Sequence, residues 1–221
     1  GLQLRWDAVT TGAHNGYVDP ASVTYKVVRQ PDAKTVNEST TTTMLYDNVE
    51  SGKLAKYWYE VTPSAYGKSG ETLASNKVVV GPGKATPYSE NFEKKKAFDY
   101  LTVLDANNDS KTWSYNEYSQ TAEYAGDAKV KADDWLILPP LKLNKSGYYK
   151  VTFNVRCNSQ NKHLLAVALG NLPEAENMTT SVMPATEFST QFETQKVEAK
   201  FLVPSDGDYF LGFHLLSDAV M

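Results

Sequence analysis

The chain has 221 residues, 41% of them apolar and 22% charged, and a formal net charge of −4. Its lysines are spread along the sequence, which argues against a nucleic-acid or anionic-membrane surface, because both need clustered positive charge. No apolar run approaches the roughly 20 residues of a membrane helix, and the single cysteine, Cys157, excludes an internal disulfide. The length is sufficient for two β domains.

Residues 1–81 carry short stretches of period-two alternation separated by turn signals. Apolar positions alternate in residues 2–9, 23–27 and 57–62, and Asn15 with Gly16 marks a turn. Alternation of this kind predicts half-buried strands, and strands at this spacing without a helical period indicate an antiparallel sandwich. The sequence therefore predicts an all-β first domain over residues 1–81.

The residues that anchor these strands follow a familiar order: Trp6 in one strand, Tyr25 and Val27 in the next, and Tyr59 in a Tyr-x-Val pattern. This order resembles a fibronectin type III domain that lacks its first strand. The resemblance implies that the hydroxyl of Tyr59 or Tyr57 bonds to backbone. Because the sequence contains no Arg-Gly-Asp triplet, we expect a spacer rather than a binding site.

Residues 82–87 are rich in turn formers, and Pro82 and Pro87 predict a short, stiff linker. Beyond the linker the alternation resumes. The apolar run at 133–143 is closed by Pro139 and Pro140. Because proline cannot donate to a sheet ladder, the run predicts a buried strand that ends at these prolines. Residues 173–178 are predicted to be helical. Strands are predicted at residues 98–104, 113–116, 132–138, 148–157, 163–169, 193–202 and 209–216.

Residues 88–221 contain four motifs in a characteristic order. They are Ser-Glu-Asn-Phe-Glu at 89–93, Leu-Asp-Ala-Asn-Asn-Asp at 104–109, Thr-Trp at 112–113 and Asp-Asp-Trp-Leu at 133–136. Together they resemble the choice-of-anchor J, or cleaved-adhesin, family of gingipain adhesin-like domains on Bacteroidetes surface proteins. The resemblance implies a jelly-roll β-sandwich over residues 88–221, without its last strand, and an extracellular or bacterial cell-surface location.

Three oxygen-bearing side chains, Asp105, Asn107 and Asp109, are spaced two residues apart. A hard cation such as calcium takes six to eight oxygens, and a loop with this spacing can turn several onto one centre. The resembling jelly rolls often bind structural calcium at their edge, which implies help from Glu90 or Glu93. The alternative is an Asx turn that hydrogen-bonds its own backbone. Both interpretations remain open at the level of sequence.

Aromatic residues are concentrated between positions 113 and 124. Trp113 is expected to anchor the core, as is Trp135. Exposed rings can stack on sugars, as in lectin-like jelly rolls, so Tyr115, Tyr118 and Tyr124 are candidate ligand contacts, with core packing as the alternative.

The sequence carries no recognisable catalytic constellation. Asp133 and Asp134 are adjacent on a predicted strand and therefore point to opposite faces, so they cannot converge on one glycosidic bond. His14, His163 and His214 each stand alone, and no nucleophile elbow, phosphate loop or zinc motif is present. We therefore expect a protein that is not an enzyme.

These observations favour an all-β, non-catalytic module for binding or adhesion, secreted or held at the cell surface, within a longer multidomain chain. Its expected partner is a glycan or a host or extracellular protein, recognised by the second domain. One alternative is the accessory region of a larger secreted protease or glycoside hydrolase whose catalytic domain lies outside these residues. Another is a purely structural stalk.

Overall fold

The computed structural model describes residues 1–125, 129–157, 162–189 and 192–217. They form two compact units, Gly1–Gly81 and Pro82–Met221. Regular structure in both units is nearly all strand, and every ladder between the named strands is antiparallel. The all-β fold class predicted from the alternation is confirmed.

The first unit places two sheets against each other. Its strands are β1 (Leu2–Arg5), β2 (Thr24–Gln30), β3 (Lys34–Thr40), β4 (Met44–Asp47), β5 (Ala55–Ala65), β6 (Lys68–Ser69), β7 (Leu73–Ala74) and β8 (Val78–Val80), and a 3₁₀ turn spans Pro20–Ser22. β1 pairs with β4, whereas β3, β2 and β5 form the second sheet, which β6, β7 and β8 extend along β5. Leu4 of β1 shares one buried core with Tyr25, Val27 and Val61, so the unit is a β-sandwich.

A buried polar contact inside this unit differs from the expectation. The Tyr59 hydroxyl donates to Asp47 Oδ2 at 2.9 Å rather than to backbone, and Arg29 Nη1 donates to the same oxygen at 2.7 Å. Burial, and then the Asp47 carboxylate, raise the pKa of Tyr59 above its ordinary value. The backbone contact is made instead by the Tyr25 hydroxyl, which accepts from the Val9 N–H at 3.0 Å.

The second unit contains a short helix, α1 (Lys95–Phe98), a 3₁₀ turn at Ala175–Asn177, and the remaining strands. These are β9 (Thr102–Asp105), β10 (Trp113–Asn116), β11 (Thr121–Tyr124), β12 (Asp134–Ile137), β13 (Leu141–Leu143), β14 (Tyr149–Val155), β15 (His163–Gly170), β16 (Thr180–Phe188), β17 (Gln195–Phe201) and β18 (Gly207–Leu215). The largest sheet has the order β16, β15, β18, β12, β9, with β13 also paired to β18. β14 pairs with β17, and β10 pairs with β11.

The main core of the second unit lies between the large sheet and the β14–β17 pair. Leu165 and Leu211 of the large sheet pack in one cluster with Val151, Phe153 and Val197 of the smaller one. The opposite face of the large sheet buries Trp135 with Ile137, Ala168 and Met178. Two packed antiparallel layers make this unit a β-sandwich as well.

Three local expectations for the second unit are corrected by the structure. Phe98 ends the helix α1, so the strand predicted at 98–104 begins at Thr102. Pro139 and Pro140 interrupt the central run without ending it, since β12 and β13 on either side both pair with β18. The helix expected at 173–178 is one 3₁₀ turn.

Residues 83 and 84 of the predicted linker are hydrogen-bonded to the second unit. Lys84 N–H donates to the Pro140 carbonyl at 2.7 Å, and Lys142 N–H donates to the Lys84 carbonyl at 2.8 Å. Gly83 N–H donates to Asp208 Oδ2 at 3.2 Å. Backbone bonds therefore join residues 83 and 84 to the strands of the second unit.

Candidate functional site

The β10–β11 hairpin carries the candidate ligand residues, and its tip is held in a fixed backbone conformation. Trp113 is paired with Tyr124 at its base, and Asn116 with Thr121 near its tip. Asn116 Oδ1 accepts from the Tyr118 N–H at 2.9 Å and from the Ser119 N–H at 3.1 Å. This side-chain bonding substitutes for backbone partners in the turn and orders it.

The three candidate tyrosines have different environments. Tyr118 is fully exposed, with 102% relative accessibility. Tyr115 is half-buried, donates its hydroxyl to the Phe92 carbonyl at 2.9 Å and lies with its ring 6.0 Å from that of Phe98. Tyr124 is half-buried with its ring edge-on to Trp113, at a centroid distance of 6.0 Å. The hairpin thus presents Tyr118 to solvent and turns the other two rings inward.

At the base of the hairpin, the loop after β9 has the bonding of an Asx turn. The Asp105 carboxylate accepts from the N–H groups of Asp109 at 3.1 Å and Ser110 at 2.8 Å. Asn107 Oδ1 accepts from Asp109 N–H at 3.3 Å, and Asp109 Oδ1 accepts from Lys111 N–H at 2.7 Å. The three oxygen-bearing side chains predicted to act together are therefore close, and each is engaged by backbone donors.

A further carboxylate, Asp134, faces this loop from β12. It is directly opposite Asp105 in the β9–β12 pair and is 0% exposed. Burial raises its pKa, the hydroxyls of Thr112 and Tyr124 oppose that shift, and the charge of Asp105 adds to it. Among the described residues, Thr112 lies close enough to influence the Asp134 carboxylate, but neither Thr112 Oγ1 nor Asp134 Oδ1, both buried, has a partner with hydrogen-bond geometry.

The Tyr124 hydroxyl lies within electrostatic range of three carboxylates. Its pKa is raised by burial first, and then by the negative charges of Asp134, Asp109 and Asp105. We call Asp105, Asp109 and Asp134 the acidic cluster. It lies at the base of the same hairpin that exposes Tyr118 at its tip.

The acidic cluster fits calcium in its chemistry but not in its present geometry. Calcium prefers carboxylate and neutral oxygens, and the unpartnered atoms of Asp134 and Thr112 are ones that a cation would satisfy. Across residues 1–125, 129–157, 162–189 and 192–217, no group of three or more His, Cys, Asp or Glu side chains is arranged to hold a metal ion. Ligation would require Asp105 and Asp109 to exchange backbone N–H donors for the ion.

The family resemblance adds Glu90 and Glu93 to this site, and the structure gives their carboxylates different surroundings. Glu90 Oε1 accepts from the Phe92 N–H at 2.8 Å, and Glu90 Oε2 accepts from the Tyr88 hydroxyl at 3.4 Å. Glu93 is exposed, and its backbone carbonyl accepts from Gln120 Nε2 at 3.3 Å. Within the described part of the chain, no hydrogen bond or ion pair joins either carboxylate to the acidic cluster.

Asp133 and Asp134 separate to opposite faces of β12, as strand alternation predicts. Asp133 Oδ1 lies 2.5 Å from His214 Nε2, and the His214 ring stacks on Trp135 with centroids 3.9 Å apart. The adjacent carboxylates therefore do not converge on a common reacting atom.

Sequence reasoning found the loop that carries Asp105 and Asp109, but it missed Asp134 as a member of the acidic cluster and Thr112 as its neighbour. A signal for Asp134 was present, because the continuous apolar run that follows it predicts a strand buried on both faces. An acid in such a strand must be paired, hydrogen-bonded or neutral. The role of Thr112 depends on the placement of the hairpin, which the local sequence does not specify.

No family model matches the chain, and neither does any curated protein. Among solved structures, it is similar to the K1 cleaved adhesin domain of Lys-gingipain from Porphyromonas gingivalis W83, with 17% identity and a TM-score of 0.43 over 58% of this chain and 87% of that one. The K3 domain of the same protein gives 15% identity and a TM-score of 0.42, covering 54% and 82%. A family 35 carbohydrate-binding module from Clostridium thermocellum gives 9% identity and a TM-score of 0.36, covering 56% and 85%. Similarity at this level assigns the chain to no family.

The helices of both units are short. In the part of the chain that the structure describes, none combines the length and apolar composition needed to cross a membrane.

Proposed function

We propose that this chain is a non-catalytic extracellular binding module whose second unit recognises a glycan. The observation that carries the proposal is the fully exposed Tyr118 on the ordered tip of the β10–β11 hairpin. A tyrosine ring offers an apolar face and a hydroxyl, and it costs little conformational entropy when a ligand contacts it. Its position on a fixed turn lowers the cost of binding further.

The surroundings of Tyr118 suit a ligand that carries many hydroxyl groups. Ser119 and Gln120 follow it in the turn and are exposed, and the Ser119 and Thr121 hydroxyls lie 2.8 Å apart. The hydroxyl and amide groups donate and accept hydrogen bonds without charge, the exposed Glu117 before Tyr118 adds a carboxylate acceptor, and the ring supplies the stacking surface. A neutral sugar matches this combination better than an anionic or wholly apolar ligand.

The arrangement of acids supports a binding role over hydrolysis. A glycosidase needs two carboxyl groups that flank one bond. Asp133 is engaged by His214 on one face of the sheet, and Asp134 is fully buried on the other. The acidic cluster is assigned a structural role: calcium, when bound by Asp105, Asp109 and Asp134, would supply the positive charge that the buried carboxylate lacks and would stiffen the base of the hairpin.

The first unit is assigned the role of a spacer that separates the binding unit from the rest of a cell-surface or secreted chain. Its most buried charged side chains, Arg29 and Asp47, pair with each other inside this unit. Because buried groups cannot reach a ligand, this pairing supports a structural role for the first unit. The extracellular location is an inference from the proposed glycan binding and depends on it.

A glycan array probed with the 221-residue chain tests the proposal. We expect retention on one class of neutral glycan, and a weaker signal from a Tyr118→Ala variant. Absence of binding to every glycan, with a folded protein, would overturn the glycan assignment and favour a protein partner.

A further inference from the structure

The outward face of the β14–β17 pair collects positive charge from two segments that are far apart in sequence. In the register of this pair Lys150 is directly opposite Lys200, and Lys196 is opposite Asn154. Arg156 follows β14 in the same alternating phase and is exposed. Lys150, Lys196, Lys200 and Arg156 thus meet on one surface, which we call the basic face.

The basic face contains one carboxylate between its cations. Glu198 Oε1 lies 3.3 Å from Lys150 Nζ and 3.5 Å from Lys196 Nζ, and these two lysines lower its pKa, Lys150 most. Lys200 and Arg156 form no ion pair with another residue in the described ranges. Four cations against one anion leave the face positive on a chain whose net charge is −4.

The position of Lys150 opposite Lys200 places two positive charges side by side, which lowers the stability of the fold. Like charges directly opposite each other in an antiparallel pair are destabilising. A solvated face gains more from alternating signs, which this pair achieves only around Glu198. A ligand that brings negative charge to this face would relieve the repulsion.

Apolar surface borders the positive end of this face. Tyr148 immediately precedes β14, Leu202 immediately follows β17, and they are 68% and 57% exposed. One step beyond the Tyr149–Phe201 pair, the register sets these two side chains side by side in the same phase as the two facing lysines. An exposed ring next to cations is suited to a sugar that carries an acidic group.

We propose that the basic face binds an acidic polysaccharide, separately from the neutral-sugar contact assigned to Tyr118. The cations pair with its carboxylate or sulfate groups, and the Tyr148 ring contacts a sugar face. Glu198 and Asn154 can accept hydrogen bonds from sugar hydroxyls. A DNA backbone offers phosphates but no hydroxyl donors for Glu198 and Asn154, and nucleic-acid surfaces carry denser positive charge.

Polygalacturonate and its fully methyl-esterified form are the matched probes, because they share a backbone and differ in charge. We expect the full chain to bind polygalacturonate and not to bind the methyl ester. Its affinity for polygalacturonate should fall as added salt screens the charges. Heparin in a parallel arm compares sulfate with carboxylate, and tighter binding to either one supports the proposal.

The double variant Lys150→Gln/Lys200→Gln should bind polygalacturonate and heparin about five- to tenfold more weakly, because it loses two exposed charge pairs with the ligand. Lys94→Gln with Lys96→Gln removes the same charge from exposed positions outside the basic face and should change binding less than about twofold. The first double variant removes the Lys150–Lys200 repulsion together with the exposed Lys150–Glu198 ion pair, so its melting temperature should change little.

Four results would overturn the proposal. They are absence of binding to both acidic polysaccharides, equal binding to the ester, equal losses from the two variant pairs, or tighter binding to duplex DNA than to either polysaccharide. The glycan array with Tyr118→Ala reports on a different surface, so either site can fail without the other.

Discussion

Asp134 lies directly opposite Asp105 where β12 pairs with β9, and the Asp134 side chain is fully buried with an oxygen that no described residue contacts by a hydrogen bond. A charged carboxylate in that position costs free energy. Calcium bound beside it would remove that cost, so calcium at about 100 times its dissociation constant should raise the free energy of unfolding by about 2.7 kcal/mol. Urea unfolding in calcium and in chelator measures the difference.

The neighbouring acid provides the control for this prediction. Asp134→Asn should abolish the calcium response, whereas Asp133→Asn should retain it, because Asp133 contacts His214 on the other face of β12. A wild-type protein that unfolds identically in calcium and in chelator would refute the cation site.

Asp47→Ala should destabilise the first unit by about 3 to 5 kcal/mol, since it leaves the buried Arg29 guanidinium and Tyr59 hydroxyl without their shared acceptor. Asp32→Ala removes the other carboxylate that contacts Arg29, but the Asp32 side chain is 42% exposed, so its loss should cost no more than about 1 kcal/mol. Denaturant unfolding compares the two. Equal effects would show that burial of the Arg29–Asp47 pair does not matter.

The contact between Arg29 and Asp32 should also make stability depend on acid pH. Arg29 lowers the pKa of Asp32, so the stabilisation is present above the unfolded-state value of about 3.9 and is lost as pH falls through the lower folded-state value. The difference in unfolding free energy between wild type and Asp32→Asn should therefore be largest near neutral pH, at no more than about 1 kcal/mol. It should shrink towards zero below that pKa, and a difference that grows in acid would contradict the assignment.

Gly212→Ala should destabilise the second unit by about 1 to 3 kcal/mol. A Cβ atom at Gly212 would lie 2.9 Å from Cε3 of the buried Trp135 and 3.3 Å from Met178 Sδ, and the packed layer leaves little room for either to move. Gly207→Ala in the same strand is the control, because its Cβ would meet nothing nearer than Tyr209 Cε2 at 3.6 Å. Thermal unfolding of the two variants should separate clearly, and a neutral Gly212→Ala would mean that the Trp135 layer can shift.

The strands with clear alternation are those that the sequence reveals best. Thr24–Gln30 and Tyr149–Val155 alternate in burial along the strand, and their period-two pattern indicates them correctly, whereas Gly207–Leu215 is covered on both faces and is indicated by its nearly continuous apolar run. Lys34–Thr40 is mostly polar, and Thr180–Phe188 contains Pro184. Both pair with a single neighbour at a sheet edge, where proline and polar residues are tolerated, so the pattern does not mark them.

The candidate sites depend on register, which short sequence windows do not contain. The Asp105 loop is visible as a local spacing, but Asp134 joins it only because β12 pairs with β9. In the same way, Lys150 and Lys200 are 50 positions apart and meet through the β14–β17 pair. Of the tyrosines predicted to contact a ligand, only the turn residue Tyr118 is exposed, because hairpin alternation turns Tyr115 and Tyr124 towards the interior.

We propose that the second unit binds a neutral glycan through Tyr118. The experiment is a titration of the glycan class selected on an array against wild type, Tyr118→Ala and Tyr66→Ala, where Tyr66 serves as control because it is a comparably exposed tyrosine in the first unit. We expect Tyr118→Ala to weaken binding about tenfold or more and Tyr66→Ala to leave it unchanged. Affinity that survives Tyr118→Ala, or that falls equally in both variants, would contradict the claim.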